Sequence, residues 1–164
     1  MNRIKRILAP TDLSELSQLG VRYALNLAKA FRAEVTAYYV VTAHELMQHG
    51  DIKEAAGQPL SPSTPILQRY QFALARFLNN HFSDLTPWVK VREKVELGKP
   101  DENIVERAKT EESDLIVICT HGRSGLSHLV VGSVTEKVVR NAPCPVLSIN
   151  AQSRQAETKL AAAS

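Results

Sequence analysis

Asp12, His121, Gly122, Arg123, Ser124, Gly132 and Ser133 are the residues whose types and spacing could do chemistry in this chain. Gly122 and Gly132 permit close backbone approach to a charged group. A helix opening at Ser133 would turn its unpaired N–H groups toward an anion without needing a lysine. Ser124, Ser127, Ser133 and Thr135 add hydroxyls, and Arg123 can neutralise charge or face solvent. The chemistry implied is capture of a phosphate or another anion. Hydrolytic catalysis fits less well, because no Gly-x-Ser-x-Gly elbow is present. His121, Ser124 and His128 are close in sequence, but that alone makes no nucleophile–base–acid geometry. His121 reads better as a turn residue or pocket wall. The phosphate loop GxxxxGK[ST] and the dinucleotide fingerprint GxGxxG are both missing.

Asp12 lies just past an apolar run and just before a helical pattern. In that place an acid can meet a ribose hydroxyl or a metal, or simply form the turn. His44 and His49 are five residues apart, which is not one helical turn, so they read as surface or loop residues rather than a metal pair. Cys119 and Cys144 make neither a disulfide framework nor a metal cluster and read as small buried or half-buried thiols.

The elements that must position these residues follow from periodicity. Asp114 to Cys119 is apolar without alternation after its first residue, as expected of a strand buried on both faces. The turn from Thr120 to Gly125 then feeds a helical pattern from Leu126 to Ala142. Ile4 to Pro10 reads as the first strand. Ser14 is the expected N-cap of a helix running to about Ala30, with Leu16, Leu19, Tyr23, Leu27 and Phe31 facing the sheet. Glu34 to Val41 reads as a second strand with nearly complete burial on both sides.

Thr42 to Pro65 is long for a connection and carries Gly50, Gly57, Pro59, Pro62 and Pro65, with room for a short helix between His44 and Ala56. Ser63 or Thr64 then caps a helix packed through Ile66, Tyr70, Ala73, Leu74, Phe77 and Leu78 and ended by Asn79-Asn80-His81. Trp88 to Val95 reads as a charged edge strand, with Trp88 packing at its start. Pro100, Asp101 and Glu102 open another helix, with Ile104, Val105 and Ala108 inward. Pro143-Cys144-Pro145 separates the last helix from a final strand, Val146 to Ile149.

A βαβαβαβαβ chain packs most economically as a five-stranded parallel sheet with helices on both faces. The expected strand order is 3-2-1-4-5, which reverses between strands 1 and 4. Ligands sit at such a reversal, beyond the carboxyl ends of the strands. Asp12 and the loop beginning at Thr120 should therefore converge there, although more than a hundred residues separate them.

At 164 residues the chain suits one domain, residues 1–150, followed by a polar, alanine-rich tail, 151–164. Its composition, 44% hydrophobic and 23% charged with a net charge of +3, is that of an ordinary globular protein. A basic balance this small is weak support for nucleic-acid binding, and neither an aromatic platform nor a dense basic stripe is present. The basic start, Asn2 to Arg6, is followed by an apolar run too short for a signal peptide or a membrane span. The expected setting is the cytoplasm, with no membrane contact.

With these residues in view, the sequence resembles the universal stress protein family over almost the whole domain. The resemblance is carried by Ile7 to Ser14, Asp114 to Leu126, Val131 to Val138 and Ala142 to Leu147. The family's ATP-binding branch carries G-x2-G-x9-G-[S/T]. Gly122, Gly132 and Ser133 match it at the right spacing, whereas Cys119 stands at the first glycine position. A cysteine lacks glycine's access to positive φ, so backbone approach at 119 should suffer.

The resemblance implies that Asp12 contacts ribose hydroxyls and that Pro10, Thr11 and Val40 line the adenine side. Gly122, Arg123, Gly132, Ser133, Val134 and Thr135 would surround the ribose or phosphates. It implies ATP as a regulatory ligand in stress response, Mg²⁺ bridging the phosphates, slow hydrolysis at most, and a homodimer formed through the final strand. The alternative is a nucleotide-independent stress protein acting through its dimer and partner surfaces, including the Thr42 to Pro65 segment.

Overall fold

The computed structural model describes residues 3–49, 65–120 and 131–150. Five strands, β1 (Arg6–Pro10), β2 (Glu34–Val41), β3 (Lys90–Leu97), β4 (Leu115–Cys119) and β5 (Val146–Ile149), form one sheet in the order β3-β2-β1-β4-β5. Each of its four pairings is parallel. The helices are α1 (Ser17–Phe31), α2 (Ala43–Gln48), α3 (Pro65–Phe82), α4 (Pro100–Thr110) and α5 (Ser133–Asn141), with a 3₁₀ turn at Thr86–Trp88. The strand order and helix placement agree with the expectation from sequence.

Strand alternation divides the core into two layers. Ile7, Ala9, Val35, Ala37, Tyr39, Val41, Leu115 and Val117 point to one face, where α1 and α3 cover them. Leu8, Tyr38, Val40, Ile116 and Ile118 point to the other, against Ile104 and Ala108 of α4 and Val138 of α5. All five residues of β4 are buried. This two-sided burial explains why its sequence does not alternate.

Helix α1 keeps part of the expected packing face, with Leu19 and Leu27 half-buried against the core, and corrects the rest. Its buried residues are Ser17, Gly20, Val21, Ala24, Leu25 and Ala28, whereas Tyr23 and Phe31 are 40% and 42% exposed. The larger residues also recur at helical spacing, but the smaller ones let the helix approach the sheet. A Cβ on Gly20 would lie 3.1 Å from the backbone nitrogen of Cys119. Ser14 is not the N-cap either. That position falls to Leu16, which makes no side-chain cap.

Other boundaries shift by a few residues. β1 starts at Arg6 rather than Ile4, β3 covers Lys90–Leu97 rather than Trp88–Val95, and α3 continues to Phe82 beyond the expected polar end. Trp88 is 70% exposed rather than packed, with the Lys29 ammonium 5.6 Å from its ring centroid. The β3 strand does lie at a sheet edge, and Val89, Val91 and Val95 face inward between exposed charges. Helix α2 fulfils the expectation of a short helix after β2. The helix expected from Leu126 to Ala142 is corrected to Ser133–Asn141, because Val131 and Gly132 lie outside the helix, where the Gly132 N–H bonds Thr120 O. The proposed cap at Ser63 or Thr64 lies outside the described residues, as do positions 50–64, 121–130 and the tail.

Candidate functional site

The sequence enters the β1–α1 turn with two hydroxyls, an acid and a leucine, and these determine its local geometry. Thr11 Oγ1 accepts the Leu13 N–H at 3.0 Å. Asp12 Oδ1 accepts both the Ser14 N–H at 3.0 Å and the Ser14 hydroxyl at 2.5 Å. Ser14 Oγ in turn accepts the Ser17 N–H at 3.2 Å, and the Ser17 hydroxyl donates to Ser14 O at 2.9 Å. Because that proton is committed, Thr11 is the donor in its 2.8 Å contact with Ser17 Oγ. The turn places Leu13 at φ 61°, in the left-handed region that leucine rarely adopts.

Across the sheet reversal, the Thr120 N–H donates to Ile149 O at 2.9 Å and the Gly132 N–H donates to Thr120 O at 2.8 Å. These bonds bring the start of α5 onto the carboxyl end of β4. Gly132 has φ −57° and ψ 147°, which any residue can adopt. Glycine is needed there for space: a Cβ would lie 2.7 Å from Thr120 O. The Thr135 hydroxyl, buried at the same junction, donates to Cys119 O at 3.0 Å. With its proton so used, Thr135 can accept from a ligand but cannot donate to one.

Between these two structures lies a crevice of about 340 Å³. Pro10, Thr11, Asp12, Val40, Gly132, Ser133, Val134 and Thr135 all line it. Asp12 and the start of α5 therefore share a cavity, as the strand order requires. Gly122 and Arg123, together with the rest of residues 121–130, lie outside the described residues. Cys119 lines the crevice and is buried, and its backbone is not left-handed. Among described non-glycine residues, positive φ is confined to Leu13, Arg32 and Glu112. Cys119 closes β4 in extended geometry, so its side chain puts no left-handed strain on the backbone.

Sequence reasoning missed the wall contributed by α2 and the floor contributed by Tyr38, Ile104 and Ile118. Thr42 and Glu45 form a capping box: Thr42 Oγ1 accepts the Glu45 N–H at 3.2 Å, and Glu45 Oε2 accepts the Thr42 N–H at 2.8 Å. The pattern T-x-x-E could have revealed it. Glu45 is also buried and accepts the Tyr39 hydroxyl at 2.6 Å, which ties α2 to β2.

His44 lines the crevice with Nε2 3.0 Å from Gln48 Nε2, whereas His49 meets the Tyr70 ring edge-on at 6.3 Å. The two histidines thus have separate surroundings. The Tyr38 hydroxyl donates to Glu96 beneath the crevice, where Arg107 pairs with the same carboxylate. Burial pushes the Tyr38 phenol above its ordinary value, keeping it a neutral donor.

The described lining combines apolar side chains with hydroxyls and two carboxylates, Asp12 and Glu45, and includes no lysine or arginine. Such a surface can hold a flat apolar group with a hydroxylated arm. Anionic charge would fall to the backbone donors and Ser133 at the start of α5. Among the described residues, no group of three or more His, Cys, Asp or Glu residues is placed to hold a metal ion, and no helix is long and apolar enough to cross a membrane.

Residues 3–150 match the family described as the Universal stress protein family. A universal stress protein of Methanocaldococcus jannaschii is 36% identical over 154 residues, covering 90% of this chain and 83% of that protein. The solved structure of another universal stress protein from the same organism superposes with a TM-score of 0.68 at 26% identity, covering 91% of this chain and 97% of the other. A universal stress protein solved in complex with cAMP gives a TM-score of 0.65 at 21% identity, covering 92% and 99%.

Proposed function

This chain belongs to the universal stress protein family, and from that premise we propose that its crevice binds ATP as a regulatory ligand in stress response. One observation carries the reading: Asp12 and the Gly132–Thr135 segment line one cavity at the reversal of the strand order. A carboxylate is an acceptor suited to ribose hydroxyls, while the opening turn of a helix is a donor set suited to phosphates. Pro10, Thr11 and Val40 serve as the adenine wall. Gly132 keeps the backbone close, Ser133 supplies a hydroxyl donor, and Val134 and Thr135 complete the wall. Gly122 and Arg123 belong to the proposed site through the motif spacing alone. The cAMP complex of a structural neighbour is consistent with an adenine nucleotide.

Mg²⁺ fits this reading through the chemistry of the lining. The described walls carry the carboxylates Asp12 and Glu45, so a divalent ion, beside Arg123 from the motif, would offset the charge of a polyphosphate. The family assignment and this set of groups support ligand binding with slow turnover at most. We assign the final strand as the homodimer contact, because β5 is an edge strand with Leu147 37% exposed. Replacing Leu147 with Lys should shift sedimentation toward monomer, and an unchanged dimer would move the contact elsewhere.

Isothermal titration calorimetry of nucleotide-stripped protein with ATP and Mg²⁺, compared with AMP, tests the ligand. Saturation near one nucleotide per chain supports the reading, and loss of affinity in a folded Asp12→Ala variant places the ribose at that carboxylate. Absence of binding by the folded parent chain would sink it and favour a protein acting through partner surfaces.

A further inference from the structure

The hydroxyl of Ser14 is the hub of the β1–α1 turn, and its direction is determined. A backbone N–H can only donate, so in the Ser17 N–H contact at 3.2 Å the Ser14 oxygen is the acceptor. Its own proton therefore goes to Asp12 Oδ1, 2.5 Å away, which also receives the Ser14 backbone N–H at 3.0 Å. One residue thus supplies two donors to one oxygen of the carboxylate that lines the crevice. Leu13, held at φ 61° between these contacts, creates the bend that lets residue 14 reach back to residue 12. Ser14 itself is absent from the crevice wall and reaches it through the two lining residues it bonds, Asp12 and Ser17, so an Asp12→Asn background separates the two routes.

Building on the nucleotide reading above, we propose that Ser14 is a positioning residue that fixes the Asp12 carboxylate for the ribose diol, making the crevice selective for ribonucleotides over dideoxy counterparts. An ionised carboxylate has several acceptor positions but few productive directions. Two donors on Oδ1 fix its rotation and orient the group before a ligand arrives. A vicinal diol presents two O–H donors with one spacing, and only a correctly rotated carboxylate receives both. A ligand lacking the two hydroxyls gains nothing from that orientation, so loss of Ser14 should be felt in the discrimination between ligands rather than in affinity for both.

The experiment is calorimetric titration of the full chain, with Mg²⁺ present, with ATP and its 2′,3′-dideoxy analogue. The parent, Ser14→Ala and Ser14→Thr are compared after circular dichroism has established folding. The parent should bind the ribonucleotide at least tenfold more tightly. Ser14→Ala should cut that ratio three- to tenfold while leaving dideoxy affinity within twofold, and Ser14→Thr, which keeps the hydroxyl, should restore it. In an Asp12→Asn background, the alanine change should no longer alter the ratio.

Should Ser14→Ala fail to fold, Ser14→Cys keeps the volume with a much weaker donor and must show the same fall. A ratio unchanged in the folded variant, or a parallel loss of both affinities, overturns the positioning role. Equal affinities in the parent overturn the ribose selectivity. Binding of neither nucleotide by the folded parent overturns the nucleotide reading and this role with it.

Discussion

Replacing Gly132 with alanine tests the junction between β4 and α5 with a single methyl group. The added carbon would lie 2.7 Å from Thr120 O, against about 3.3 Å for an ordinary carbon–oxygen contact, so one backbone must move by roughly half an ångström. Neither is free to do so cheaply. Thr120 is held by its N–H to Ile149 O at 2.9 Å, and Gly132 donates to the same Thr120 oxygen at 2.8 Å. The φ of −57° and ψ of 147° suit alanine, so reduced freedom of the unfolded chain favours the variant by about 0.4–1 kcal/mol. Overpacking a fixed site costs about 1–3 kcal/mol. Strain wins, with an expected net loss of about 1–2 kcal/mol in urea unfolding at unchanged m-value.

The same displacement moves Ser133 and Val134 at the crevice wall, so ATP affinity should fall about tenfold, equivalent to 1.4 kcal/mol. A serine should do at least as badly, since its Cβ meets the same oxygen. An alanine variant as stable as the parent and equal to it in affinity would refute the close-approach argument for this glycine.

Glu45→Ala removes the capping carboxylate and the acceptor of the Tyr39 hydroxyl, and should lower stability by about 1–3 kcal/mol, read as a fall in Tm. An unchanged Tm would mean that α2 is held by other contacts. Glu34 has the opposite character, with little energy and a clear pH signature. The Lys90 ammonium, 2.9 Å away, holds its carboxyl below the ordinary value of 4.5 against the opposing effect of burial, with Arg92 acting in the same direction as Lys90. A lowered folded value stabilises the fold above 4.5 and loses that contribution as pH falls through the folded value. Glu34→Gln should therefore cost about 0.5 kcal/mol at neutral pH and nothing in strong acid, and an equal cost at both would refute the pairing. Burial, then the negative charge of Asp114, push the Cys144 thiol above its ordinary value of 9.0. In a Cys119→Ala background at pH 8, Cys144 should react with an aromatic disulfide reagent more slowly in the folded chain than in urea, and equal rates would contradict its shielding.

The legible parts of the sequence were those where one physical requirement governed a whole segment. Leu115 to Cys119 had to be a doubly buried strand because it is uniformly apolar, and the structure buries all five residues. Helix α1 was harder because two sets of residues recur at its period. Size favoured Tyr23 and Phe31, but close approach to Cys119 required Gly20, and that requirement comes from another segment. Trp88 was misread for a similar reason: its apolar bulk suggested packing, while the 3₁₀ turn directs it outward beside Lys29.

For the crevice, residue type and spacing alone determined that Asp12 follows a strand, that Ser133 begins a helix and that both belong beyond carboxyl ends of a parallel sheet. Handed crossovers and the strand order then required those ends to meet, because a reversal opens a gap between neighbouring connections. Tertiary structure alone decided that Gly132 serves contact rather than conformation, that Thr135 spends its proton on Cys119 O, and that Tyr38 and Glu45 help enclose the cavity. The physical reason is range. Backbone periodicity and turn chemistry are set by neighbours in the chain, whereas the partner of a buried hydroxyl and the space beside a glycine are set by whatever the fold brings within a few ångströms.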